Sequence, residues 1–302
     1  MSEYSDYLSF QEDNEEEEEE EEPSENENPL MYHFPYGSNS QPFEIDFLLN
    51  STISEASQFT LSENIFSQVQ KKLTLQNRYS VVDWLIRVTQ RINFSRSILF
   101  NSVFILDQYL SKKEIDINAI QLAATTCLLI STKLDQVLNY NLELNYFVTL
   151  CQKKFTAEQF RDMEKEIIET IGFQLNFPTS LFFVDPFLGI FNQELTPLFH
   201  VFVQFLLDCS LTSFKFNEFP TPLLSASAIY ITAMLLDYHC PITSLCMAAQ
   251  IKNPTQLKEI GTFLVNCGMA VMSKGSGGIF SEYQKKPGLF DILANARATL
   301  SK

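Results

Sequence analysis

The sequence predicts an all-α protein: two tandem helical bundles preceded by a disordered acidic tail. Three observations predict it. Nine Gly and twelve Pro are few among 302 residues that are 45% hydrophobic and include 27 Phe, a balance that favours helices around a sizeable core over turn-rich β structure. From about residue 55 onward, apolar residues recur at helix spacing. Two segments, "LAATTCLLI" from Leu122 and "LSASAIYIT" from Leu224, are apolar on nearly every side and superpose at an offset of 102 residues (224 − 122). A helix of that kind must be enclosed by neighbours, so each becomes the central third helix of its own bundle. The expected domains are a tail over 1–50 and bundles over 51–176 and 177–302.

The tail comes first. It contains "EDNEEEEEEEEPSENENP", whose eight consecutive Glu repel one another and bury nothing. Residues 1–70 hold eighteen of the 37 acidic residues and none of the 21 Lys and Arg. The net charge of −16 therefore belongs to the tail, and the rest of the chain is close to neutral. Such a body lacks the basic excess that phosphate neutralisation requires, so no nucleic-acid partner is expected. The tail reads as a solvated segment or as a lure for basic partners such as histones. Without lysine it offers no ε-amino group for ubiquitin.

A helix is expected near 62–72, and then "RYSVVDWLIRVTQRI" (78–92) places Val81, Val82, Leu85, Val88 and Ile92 on one broad face. "SRSILFNSVFILDQYL" (95–110) begins at an N-cap, Ser95, and repeats the spacing. The central segment 120–135 follows, then a short helix near 141–151. The next helix starts at Thr156, with Gln159 completing a capping box and Gly172 marking the stop. An extended link at Pro178 leads to the second set: 195–211, 223–237, 242–250 and 255–272. "KGSGG" (274–278) reads as a flexible break. Neither long apolar run suits a membrane span. The uncharged 117–132 would reach about 24 Å as a helix, short of the ~30 Å hydrocarbon core, and both runs are studded with Ser and Thr.

Charges within these apolar helices need an account. Arg78 and Asp107 lie among apolar neighbours, where each requires a partner, and antiparallel packing would let them pair. Lys133 ends the central helix, where a cation gains about 0.3–1 kcal/mol from the helix dipole. Glu164, in "DMEKEIIETIGF", is consistent with a solvated face.

Taken together, these positions resemble the cyclin family, most closely the mitotic A/B type. The resemblance is carried by "NRYSVVDWLIRV" (77–88), "FILDQYLS" (104–111), "IQLAATTCLLISTKLDQ" (120–136), "RDMEKEIIETIGFQL" (161–175) and "LSASAIYITAMLL" (224–236). It covers about 55–300 and implies two tandem five-helix cyclin-fold bundles. Five recurrent cyclin-box positions are matched by Arg78, Asp107, Leu122, Lys133 and Glu164. By resemblance, Arg78 and Asp107 form an internal salt bridge. Lys133 and Glu164 bind a cyclin-dependent protein kinase, while Ile130, Leu134, Ile168, Phe173 and Leu175 pack against its αC helix. The chain itself does no chemistry and needs no cofactor. Cell-cycle control in nucleus and cytoplasm is the implied setting.

Two departures from the family stand out. Its substrate-docking patch would use Val81, Trp84, Gln121 and position 87, but Asn77 and Ser80 cut its apolar character. Arg87 also stands where an acidic residue normally meets the arginine of an Arg-x-Leu motif, which argues against that docking. No Arg precedes Arg78, so an N-terminal destruction box of the Arg-x-x-Leu kind is absent from the sequence.

Other classes fare less well. A nucleic-acid-binding protein of the same fold wants a basic surface and a zinc ribbon. A cyclin-fold scaffold or histone-binding adaptor would rely on the tail, with steep salt dependence. An enzyme wants a nucleophile with its base, a phosphate-cradling loop or a metal cluster. Cys127, Cys151, Cys209, Cys240, Cys246 and Cys267 form no CxxC pair, and His33, His200 and His239 lie far apart, so no metal site is expected. With no signal peptide read, a reducing intracellular compartment is the expectation.

Overall fold

A computed structural model describes residues 42–135, 142–175 and 177–300. Among the described residues there are fourteen α-helices and no strand. By compactness the chain divides after Ile45, and the unit from Asp46 onward holds both bundles. Helices α1 (Pro42–Ala56) and α2 (Glu63–Val69) lead in. The first bundle is α3 (Leu75–Ile92), α4 (Arg96–Leu110), α5 (Ile120–Leu134), α6 (Leu144–Leu150) and α7 (Ala157–Thr170). The second is α8 (Val184–Leu188), α9 (Pro197–Thr212), α10 (Thr221–Leu235), α11 (Ile242–Ala248) and α12 (Thr255–Lys274). Two further helices close the chain, α13 (Gly278–Tyr283) and α14 (Leu289–Leu300).

Each bundle forms because its central helix has no polar face to leave outside. Helix α5 packs against α3, α4, α6 and α7, and every residue from Leu122 to Thr132 is buried. Its hydroxyls do not obstruct this. Thr125 Oγ1 donates to the Gln121 carbonyl at 2.7 Å and Thr126 Oγ1 to that of Leu122 at 2.8 Å, so burial strands neither group. The segment Ile117–Leu134 is long and apolar enough to cross a membrane, but it is this core rod. Helix α10 plays the same part among α8, α9, α11 and α12. Its close neighbour α12 depends on Gly261, where a Cβ would sit 2.7 Å from the Ile231 Cβ.

Local start signals hold these rods in place. Ser95 accepts from the Ile98 N–H at the head of α4. Thr156 and Gln159 form a reciprocal capping box on α7. A second box, Thr74 with Asn77, starts α3 three residues before the sequence pattern does.

Two expectations need correction. Helix α1 begins at Pro42, inside the segment 1–50 read as disordered, while the glutamate run lies outside the described residues. The segment 274–278 is a loose break only in part: residues 274–276 are exposed, but Gly278 is buried and α13, which it begins, packs on α3. A Cβ on Gly277 would sit 2.7 Å from Asp83 Oδ1, and one on Gly278 would sit 2.7 Å from Ile86 Cγ2. Glycine is there for close approach rather than looseness. The final stretch then forms two helices, α13 and α14.

Candidate functional site

The candidate site begins where the core rod ends. Lys133 is in the last turn of α5, and the backbone leaves the helix at Asp135. The Asp135 carboxylate accepts from Ser95 Oγ at 3.0 Å, which ties the end of α5 to the start of α4. Helix α7 lies against α5 with Phe160 and Ile167 buried and its charged residues outward. This brings Lys133 Nζ to 2.5 Å from Glu164 Oε1. Lys133 remains 55% exposed and Glu164 20%, so a partner can reach both.

One turn beyond Glu164 on the same face is Ile168, half-buried. Its carbonyl accepts from the Phe173 N–H at 3.0 Å, while the Glu169 carbonyl accepts from the Gly172 N–H at 3.2 Å. These two bonds are a Schellman ending. Both Gly172 (φ 73°) and Phe173 (φ 61°) are left-handed. For glycine that costs nothing, but an aromatic residue there is strained. The strained turn holds the Phe173 ring outward, 72% exposed. Leu134 is 39% exposed, and Leu175 is half-buried. Ile130 differs: at 2% exposure it belongs to the core of the first bundle and cannot touch a partner, because the enclosed face of α5 extends almost to Lys133.

Arg78 and Asp107 meet inside. Arg78 Nε donates to Asp107 Oδ1 at 2.8 Å and Nη2 to Oδ2 at 2.7 Å, with both side chains buried. Their remaining valences reach the second bundle. Arg78 Nη1 donates to the Leu211 carbonyl, and Asn217 Nδ2 donates to Asp107 Oδ2, each at 2.7 Å.

A second buried acid escaped the sequence reading. Asp208 on α9 accepts from Arg96 Nη1 and, at 2.7 Å, from the Tyr283 hydroxyl. Arg96 also pairs with Glu282. Burial pushes the Asp208 carboxyl above its ordinary range, against the opposing pull of Arg96. The signal was present, since "FLLDCSL" sets a lone acid among apolar residues just as "FILDQYL" does for Asp107.

Of the residues read as a docking patch, the two apolar ones are withdrawn from the surface. Val81 and Trp84 are 1% and 2% exposed, because α3 turns that side into the core. Gln121 is half-buried. Arg87 is exposed and pairs with Asp83 Oδ2 at 2.8 Å.

Among the described residues no group of His, Cys, Asp and Glu is placed to hold a metal ion. Burial pushes Cys127 and Cys209 well above the usual thiol range and Cys151 up to about 11, so these thiols are poor nucleophiles.

Residues 46–176 match the family model of the cyclin N-terminal domain. This segment is a cyclin N-terminal domain. Among the chain's relatives are the G2/mitotic-specific cyclin-B1 of Oryzias luzonensis, 26% identical over 55% of this chain and 41% of that one. Another is cyclin-B2-1 of Arabidopsis thaliana, 26% identical over 71% of this chain and 49% of the relative. The chain thus spans somewhat under half the length of these curated relatives. In fold, the chain resembles a viral cyclin from herpesvirus saimiri, with a TM-score of 0.65 at 18% identity, covering 76% of this chain and all of the other. A chain of the yeast RNA Pol II CTD kinase CTDK-1 complex aligns with a TM-score of 0.53 at 13% identity, over 75% and 82% of the two chains.

Proposed function

We propose that this chain is a cyclin, a regulatory subunit that binds and activates a cyclin-dependent serine/threonine kinase in cell-cycle control, acting in nucleus and cytoplasm. The observation that carries the reading is the reachable Lys133–Glu164 pair, linked through Ile168 to an outward Phe173. A soluble monomer gains nothing from a strained, exposed aromatic, whereas a partner that buries it does.

Magnitudes assign the roles. Moving a kinase from mostly inactive to mostly active takes about 5.5 kcal/mol of differential binding. An exposed ion pair supplies at most about 1 kcal/mol. Burying the Phe173 ring supplies roughly 1.5–3 kcal/mol, and Leu134 and Ile168 add to it. The charges therefore set orientation, and the apolar groups supply most of the energy. Pressing on the kinase αC helix completes the Lys–Glu pair that phosphoryl transfer needs, so the cyclin acts by favouring one kinase conformation.

The test is affinity capture of the tagged chain followed by a kinase assay on the eluate. The parent should bring down kinase activity, and Lys133→Ala with Glu164→Ala should not. Equal activity from both would refute the reading.

A further inference from the structure

The outer side of α3 carries one sign of charge. Its one acid, Asp83, is buried and already doubly engaged: Oδ1 accepts from the Gly278 N–H and Oδ2 from Arg87, each at 2.8 Å. Arg87 keeps its other guanidinium donors toward solvent, being 51% exposed. Eight residues earlier, Tyr79 holds a second cation. Lys274 Nζ sits 4.5 Å over the Tyr79 ring and donates to its hydroxyl at 3.0 Å, leaving further N–H groups outward. The close approaches of Gly277 and Gly278 hold the start of α13 against α3, and Lys274, the last residue of α12, stands just before them. With Val81 and Trp84 buried, this face offers charge rather than grease.

Spacing selects the partner. Eight helical residues separate the two cation sites by about 12 Å along the axis. A single phosphate wants converging donors, which these are not. An extended chain advances about 3.3 Å per residue, so carboxylates three to four positions apart match the gap. We propose that the face of α3 framed by Arg87 and Lys274 docks an extended acidic segment of a partner protein, with Asp or Glu side chains at that spacing.

The experiment is fluorescence anisotropy with the full chain and labelled neutral peptides carrying two Glu, either four positions apart or adjacent. The spaced peptide should bind at 50 mM salt, weaken at least tenfold at 500 mM, and outbind both the adjacent-Glu peptide and an Arg-x-Leu peptide. Arg87→Glu with Lys274→Glu should lower affinity about tenfold. Glu at 87 would also crowd Asp83, so Arg87→Gln with Lys274→Gln serves as the second variant, with a loss of about fivefold. No binding at low salt, equal binding of the peptides, or unchanged affinity in both double variants overturns the proposal. The assay contains no kinase, so failure here leaves the kinase reading standing.

Discussion

Arg78 on α3 and Asp107 on α4 exchange two parallel hydrogen bonds of 2.8 and 2.7 Å at a point where neither side chain is more than 3% exposed. Every strong donor and acceptor of the pair that reaches across the chain is also used, at Leu211 and Asn217. The pair is thus less an ornament of the first bundle than its rivet to the second.

Removing one half of that rivet leaves a buried charge. Arg78→Ala should destabilise by about 3–5 kcal/mol. Arg78→Lys should recover only part of this, since an ammonium cannot make the two-pronged contact while reaching the Leu211 carbonyl. Urea unfolding measures both. A loss below about 1 kcal/mol for the alanine variant would mean that water or another cation replaces the guanidinium.

Asp208 should behave differently with pH. Burial raises its folded-state value above the unfolded one. A carboxyl of that kind favours the fold in its protonated form, and its contribution is lost as pH rises through the raised value. Asp208→Asn keeps the neutral shape. Its stability relative to the parent should therefore improve as the pH rises from about 4 through that raised value. Denaturation series at several pH values test this, and a relative decline over that window would show that Arg96 and Tyr283 outweigh burial.

Phe173 should separate stability from binding. Glycine relieves the left-handed strain but adds freedom to the unfolded chain, so Phe173→Gly should leave stability unchanged or raise it by up to about 1 kcal/mol. Kinase capture should fall sharply. A variant that loses stability instead would show that the ring packs on its own bundle.

Much of this was legible in the sequence because it depends on local chemistry. Ser95, Thr156 and Gln159 cap the helices they precede, and the two central rods are enclosed because nothing on them suits water. Depth along a helix was harder to read. Ile130 and Leu134 both look like contact residues, yet only the second emerges, since burial along α5 ends after Thr132. The glycines at 275, 277 and 278 read as loose because the sequence cannot show that Asp83 and Ile86 lie within reach of two of them. Arg96 and Asp208 are 112 positions apart, and only the packed fold makes them neighbours.

The Lys133–Glu164 pair can be tested by exchanging its charges. Lys133→Glu with Glu164→Lys keeps an ion pair of the same kind between α5 and α7. Stability should change by less than about 1 kcal/mol, because the parent pair is largely solvated and such pairs contribute little. Within the chain, then, the swap is close to silent. Toward a partner it is not, since each charge now meets groups arranged for its opposite, and like charges brought together cost several kcal/mol. Co-purifying kinase activity should be lost, as in the double-alanine variant, while the melting curve stays near the parent's. Retained activity in the swapped chain would make the pair a mere brace between α5 and α7 and move the partner's grip to Phe173 and Leu134 alone.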